Sequence, residues 1–278
     1  MKLARVWDDG APRLGRVEGE TITLFEQPGG MLGLIQAGAA GLASARAASG
    51  RQLPLSQARL AAPIENPSKI VGIGLNYVDH AAESHLALPK QPLMFAKLPS
   101  SIVGPGQAIQ WSAGLASKVD YEAELVVVIG RPARNVSEAE ALSVVFGYTC
   151  GNDVSARDLQ GADGQWVRAK SLDTFTPLGP WIVTGDEIPD PQALTIRGTL
   201  NGQQMQGSPA RDMVFGVAHL IAYLSRSFTL LPGDLIFTGT PPGVGDGRTP
   251  PVYLKDGDEY AVEIDSIGRL ANRCQVSA

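Results

Sequence analysis

The most apolar short run in the chain is Leu125–Ile129, and the segment leading into it alternates: Asp120, Glu122 and Glu124 are separated by Tyr121 and Ala123. Successive strand residues point to opposite faces, so Glu122 and Glu124 are expected on one face. The aliphatic run that follows predicts burial on both faces. At the N-terminus, KLARVW, PRLGRVEG and TITLF, broken by DDG and EGE, predict a β-meander. Residues 31–48 read as one helix, and the proline-punctuated RQLPLSQARLAAPIENPSK reads as a linker. The boundary falls near Glu65, giving a small domain over 1–64 and a larger one over 65–278. Beyond it, KIVGIG, PLMFAKLP, AIQW, FGYTCGNDV, LPGDLIFTGT and DEYAVEIDSIGRLANRC predict strands. NYVDHAAESH and SEAEALSVV predict short helices, and MVFGVAHLIAYLSRS has a longer helical period. LTIRGTLNGQQMQ predicts a hairpin turning at Asn201-Gly202. The chain is therefore expected to be α+β and predominantly β.

Composition narrows the class. With 278 residues, 44% hydrophobic and 18% charged, the chain can bury a substantial core. A net charge of -5 argues against a nucleic-acid partner. No apolar stretch reaches the ~18 residues of a membrane span. The opening MKLARVWDDGAP lacks the apolar core of a signal peptide. Cys150 and Cys274 fit no metal or redox spacing. A cytoplasmic protein is the expectation.

The paired glutamates are the first candidate chemistry. Two carboxylates near a buried edge repel one another unless a cation or a shared proton lies between them, although half of most antiparallel strands is simply solvated. Asp153, in GNDVSARD, supplies a third carboxylate. An all-oxygen set of this kind suits Mg²⁺, Mn²⁺ or Ca²⁺, and three His in the whole chain exclude a His-rich zinc site. His80 and Glu83 stand three apart in NYVDHAAE. On a helix they would share a face, and the carboxylate would fix the imidazole tautomer and make the other nitrogen a better base. An ordinary surface histidine beside a helix acid has the same spacing. His85 and His219 have no such partner in sequence, and His219, within VFGVAHLIAY, reads as a packed core residue. Arg157, Gln160 and Lys170 could grip a carboxylate or keto oxygen, or could line a solvated loop. GIGLNY places Tyr77 where a dinucleotide fingerprint needs its third glycine. TGTPPGVGDG lacks the Lys-Ser/Thr of a phosphate loop yet could present backbone N–H groups.

Taken together, GLNYVDHAAE, DYEAELVVVIG, GYTCGNDVSARDLQ, KSLDTFTPLGPW, GDLIFTGTPPGVG and LKDGDEYAVEIDSIGRLAN resemble the fumarylacetoacetate hydrolase family in order and spacing, over roughly residues 65–278. The resemblance implies a mixed β-roll or β-sandwich catalytic domain behind a small N-terminal α/β domain, assembled as a homodimer. It implies Glu122, Glu124 and Asp153 as ligands of Mg²⁺ or Mn²⁺, and His80–Glu83 as a water-activating dyad. It also implies contacts from Gln160 and Lys170 to an α-keto acid, with Arg157 beside them, and a pocket closed by the Thr240 loop. Residues 84–92 correspond to a variable lid. The activity it implies is metal-dependent cleavage of the carbon–carbon bond of a β-diketo acid of acylpyruvate type, with Lys170 counted among the catalytic residues. Oxaloacetate decarboxylation and 2-hydroxyhepta-2,4-diene-1,7-dioate isomerisation are the alternatives within the family. A non-catalytic Ca²⁺ or ligand-binding module is the alternative outside it.

Overall fold

A computed structural model describes residues 1–83 and 87–278. The N-terminal meander forms as β1 (Lys2–Asp8), β2 (Ala11–Glu18) and β3 (Thr21–Phe25). The helix expected over 31–48 is two helices, α1 (Gly30–Gln36) and α2 (Gly38–Ala47). The break falls at Gly38, whose φ of 56° lies in the left-handed region that a side chain resists. The stretch expected as a linker instead contributes β4 (Gln52–Pro54) and β5 (Leu60–Ala61), which pair with β3 and β1.

Then come β6 (Ile70–Gly74), α3 (Val78–Glu83), β7 (Leu93–Lys97), β8 (Ile102–Val103) and β9 (Ile109–Ser112). The acidic segment splits into β10 (Val119–Asp120) and β11 (Ala123–Ile129), followed by α4 (Glu138–Ala141), β12 (Val145–Asn152) and β13 (Ser155–Ala156). Next are α5 (Arg157–Asp163), α6 (Trp166–Ala169), β14 (Thr176–Thr184), β15 (Thr195–Leu200) and β16 (Gln203–Pro209). The chain closes with α7 (Val217–Ser227), β17 (Leu235–Phe237), β18 (Glu259–Ile264) and β19 (Gly268–Ser277). The β15–β16 hairpin turns at Asn201 (φ 50°) and Gly202 (φ 80°), as the Asn-Gly pair predicts. No helix among the described residues is long and apolar enough to cross a membrane.

The dominant layer is a 12-stranded sheet in the order β4-β3-β2-β1-β14-β12-β11-β17-β6-β7, with β5 on β1 and β8 on β14. The meander is thus hydrogen-bonded into the main sheet, through Lys2 and Leu3 opposite Val183 and Ile182. A five-stranded sheet, β16-β15-β18-β19-β9, packs across it. Strand β11 is buried on both faces, as its composition predicts. Leu125, Val127 and Ile129 join one core with Val262 and Ile264 of the smaller sheet, while Val126 and Val128 join another with Phe237, Ile182 and Leu34 of α1. This sandwich is the mixed, sheet-dominated architecture expected. It sets the end of β6, Ile73 and Gly74, and Glu122, just ahead of β11, against one pocket.

Candidate active site

The acidic segment places its carboxylates by interrupting a strand. Between β10 and β11 the backbone leaves the ladder, and the Glu122 amide donates to Asn152 Oδ1 at 2.9 Å. The Glu122 carbonyl accepts from the Asp153 amide at 2.9 Å, so Asp153 sits directly across from it. Glu122, Glu124 and Asp153 thereby converge, each offering a carboxylate oxygen within 4.8 Å of the others, and all three are buried.

Two lysines and an arginine answer this charge. Lys170 Nζ donates to Glu122 Oε2 at 2.9 Å and to Asp153 Oδ2 at 2.5 Å. Lys97 Nζ donates to Asp153 Oδ1 at 2.6 Å and to the carbonyls of Phe175 and Lys170. Arg157 Nη2 donates to Glu122 Oε1 at 2.6 Å. Burial alone would raise the Glu122 carboxyl, but Lys170 and Arg157 outweigh it and hold it below the ordinary range. Burial likewise opposes the Lys170 ammonium, and Asp153 with Glu122 reverse that and raise it. For Lys97 burial wins and pulls the ammonium down against the attraction of Asp153.

Among the described residues no cationic side chain donates to Glu124, and its Oε2 accepts the Gly239 amide at 2.7 Å. Burial, then Asp153 and Glu122, push its carboxyl well above the ordinary value. Among the described residues Asp120, Glu122, Glu124 and Asp153 are four buried carboxylates facing Lys97, Lys170 and Arg157, so one positive charge is wanting, and it is wanting at Glu124. A hard divalent cation on these oxygens fits the donor set and more than offsets that deficit. The chemistry of the residues present is therefore that of a metal site.

His80 and Glu83 lie on α3, with Nδ1 and Glu83 Oε1 2.7 Å apart. The other Glu83 oxygen accepts the Gly243 amide at 2.8 Å, which fixes the carboxylate from behind. Both residues line a cavity of about 330 Å³ together with Glu122, Gln160, Lys170 and Thr240. Glu122 of the acidic cluster and the dyad thus face the same space.

Asp120 is a residue that sequence reasoning passed over. It is fully buried and accepts from the amides of Tyr121, Gly245 and Asp246 and from Arg157 Nε at 2.9 Å. Three acids therefore grip the glycine-rich 239–247 loop by its backbone: Glu124 at Gly239, Glu83 at Gly243 and Asp120 at Gly245. Lys97 was also passed over, because a lysine ending the strand PLMFAKLP has no distinguishing pattern. Arg157, expected as a substrate contact, has all three guanidinium nitrogens engaged by Asp120, Glu122 and Gln160. The Thr240 hydroxyl donates to the Ala123 carbonyl and accepts from Gln206 Nε2, so it braces β11. One expectation about a histidine changes. His219 is not a core residue: its side chain is 39% exposed and its Nδ1 lies 2.8 Å from Glu138 Oε1, because the apolar face of α7 is formed by Leu220, Ile221 and Leu224 instead. His85, with residues 84–86 of the expected lid, lies outside the described residues.

Comparison with known proteins agrees with this geometry. Residues 69–275 match the family model for the fumarylacetoacetate (FAA) hydrolase C-terminal region, and residues 1–63 match that for an Rv2993c-like N-terminal region. The chain is 44% identical over 250 residues to the mitochondrial oxaloacetate tautomerase Fahd2a of Rattus norvegicus, covering 88% of this chain and 80% of the relative. A solved 2-hydroxyhepta-2,4-diene-1,7-dioate isomerase of Mycobacterium marinum superposes with a TM-score of 0.82 at 39% identity, covering 100% of this chain and 99% of that one. A maleylpyruvate hydrolase of Sphingobium gives a TM-score of 0.84 at 33% identity with full coverage of both chains. With the match extending over three quarters of its length and through every element that builds the site, the chain belongs to the fumarylacetoacetate hydrolase family.

Proposed function

We propose that the protein hydrolyses the carbon–carbon bond of an acylpyruvate, a β-diketo acid, giving pyruvate and a carboxylic acid. The observation that carries this reading is His80, held by Glu83, lining the same pocket as Glu122, one member of the converging set Glu122, Glu124 and Asp153. Glu122, Glu124 and Asp153 would hold Mg²⁺ or Mn²⁺, and Ca²⁺ suits the same oxygens. Such an ion, when bound, supplies positive charge where an enolate develops.

The chain's own residues account for the rest. With Nδ1 directed at Glu83, His80 presents Nε2 to take a proton from water, and the hydroxide formed attacks the distal carbonyl carbon. The carbon–carbon bond then breaks, its electron pair passes to the pyruvate fragment as an enolate, and C3 is protonated. Gln160 accepts from Arg157 at Oε1, which leaves its amide nitrogen to donate to the substrate's keto-acid end. Lys170 keeps Glu122 and Asp153 in register and adds a fixed positive charge at that end.

The test is loss of the enol absorbance of acetylpyruvate with Mg²⁺ and then with EDTA, coupled to pyruvate release. Fast, EDTA-sensitive release is expected. A second reading, keto–enol interconversion or decarboxylation of oxaloacetate, is favoured by the identity to the rat tautomerase. It requires His80 at C3 but no attacking water. Turnover of oxaloacetate without release of pyruvate from acetylpyruvate would replace the hydrolytic reading with this one.

A further inference from the structure

Two cationic side chains, Arg157 and Lys170, line the pocket together with His80. Each is committed. The Arg157 nitrogens are held by Asp120, Glu122 and Gln160, Lys170 Nζ lies between Glu122 and Asp153, and His80 Nδ1 faces Glu83. Beyond these, the acids Glu83 and Glu122, and Gln160, whose amide nitrogen serves the keto-acid end, the wall carries Ile73, Leu75, Trp166 and Val244, together with Thr240, whose hydroxyl is engaged, and Asp246, whose Oδ1 accepts the Tyr253 hydroxyl at 2.5 Å. A second carboxylate on a substrate would meet no uncommitted cation among the described residues and would face the acid at 246. Placing a charge there without a partner is unfavourable.

Trp166 is built into this wall rather than resting on it. Its ring meets Phe95 edge to face at 5.4 Å, and a Cβ on Gly74 would lie 2.5 Å from it, so β6 ends in glycine to make room. It opens α6, and its carbonyl accepts the Lys170 amide at 3.0 Å. One helical turn therefore carries both the ammonium of the metal end and the aromatic face of the wall.

We propose that the pocket selects 2-oxo acids whose far end is uncharged, with Trp166 as the residue that reads that end. This rests on the pocket being a metal-dependent 2-oxo acid site, and it names the substrate class as mono-acids. The test is calorimetric binding, with Mg²⁺ present, of a matched pair that cannot be cleaved: 2-oxohexanoate and 2-oxoadipate, which differ only in a terminal methyl against a terminal carboxylate. The wild-type protein is expected to bind 2-oxohexanoate tighter by about tenfold or more. Trp166→Arg should narrow or invert that ratio, and Trp166→Phe should preserve its order. Equal or tighter binding of 2-oxoadipate by the wild type overturns the inference. So does a Trp166→Arg variant that weakens both acids by one common factor. The wild-type ratio decides the matter even where the arginine variant does not fold. Failure of the hydrolytic reading would instead appear as absent acetylpyruvate cleavage with the binding ratio intact. If neither acid binds, both readings fall together.

Discussion

The charge deficit at Glu124 links metal, proton and stability in one measurable quantity. Its carboxyl is raised well above the ordinary value by burial and by Asp153 and Glu122, so the metal-free protein takes up a proton there on folding. That contribution is fully present below the carboxylate pKa of the unfolded chain and is lost as pH rises through the raised folded value. Tm of the EDTA-treated protein should therefore fall between weakly acidic and weakly alkaline pH. The cation displaces that proton, so the loaded protein should escape the decline, and the gap between the two should widen with pH. Ligand at about 100-fold over Kd stabilises by roughly 2.7 kcal/mol, which at about 2.1 cal/mol/K of unfolding entropy per residue over 278 residues is about 5 °C. The assay is a thermal melt at pH 5.5 and 8.0 with MgCl₂, MnCl₂ or EDTA. Glu124→Gln keeps an oxygen for the Gly239 amide while removing the charge, so it should flatten the pH dependence and abolish most of the metal shift. A metal shift that is independent of pH, or that survives unchanged in Glu124→Gln, refutes the reasoning.

Removal of the base in His80→Ala should lower kcat by about 10²–10⁴-fold in the protein that remains folded; a loss below tenfold in pyruvate release removes the base assignment. Lys97→Met leaves Asp153 Oδ1 and the carbonyls of Lys170 and Phe175 without their donor, Lys170 still holding Oδ2, and a cost of about 3 kcal/mol is expected in denaturant unfolding. A melt within a degree of wild type would show that Lys97 is neutral or dispensable there. Gly151→Ala would set a Cβ 2.5 Å from both the Phe237 ring and Val126, so destabilisation of about 1–3 kcal/mol is expected, with kcat unaffected in the surviving folded protein. An unchanged unfolding midpoint would mean that the ring moves aside freely.

What could be read from the sequence follows the range of the forces involved. Strand β11 and the β15–β16 hairpin were legible because side-chain alternation and the Asn-Gly turn act over a few residues. Glu122, Glu124 and Asp153 stood out because clustered carboxylates beside aliphatic residues are electrostatically improbable without a counter-charge. The counter-charges themselves were not legible: Lys97 reaches Asp153 across 56 residues, and Arg157 reaches Asp120 across 37. Asp120 sits in the very segment that drew attention, yet its role is set by the amides of residues 245 and 246, which no local pattern announces. His219 was misread because helical periodicity reports a face only approximately, and a histidine at the margin of the apolar stripe of α7 turns outward to Glu138.

The pairing of β1 with β14 carries a practical consequence for anyone dissecting the protein. Severed at residue 64, the remainder would display the naked backbone of β14, with Ile182 and Val183 beside it, along the length that Lys2 and Leu3 now occupy. An unprotected, aliphatic strand margin is a template for the next molecule's chain. The first 64 residues thus behave as a sheath for that margin, and the fragment lacking them is expected to precipitate through intermolecular strand addition even though every group of the catalytic pocket remains in it.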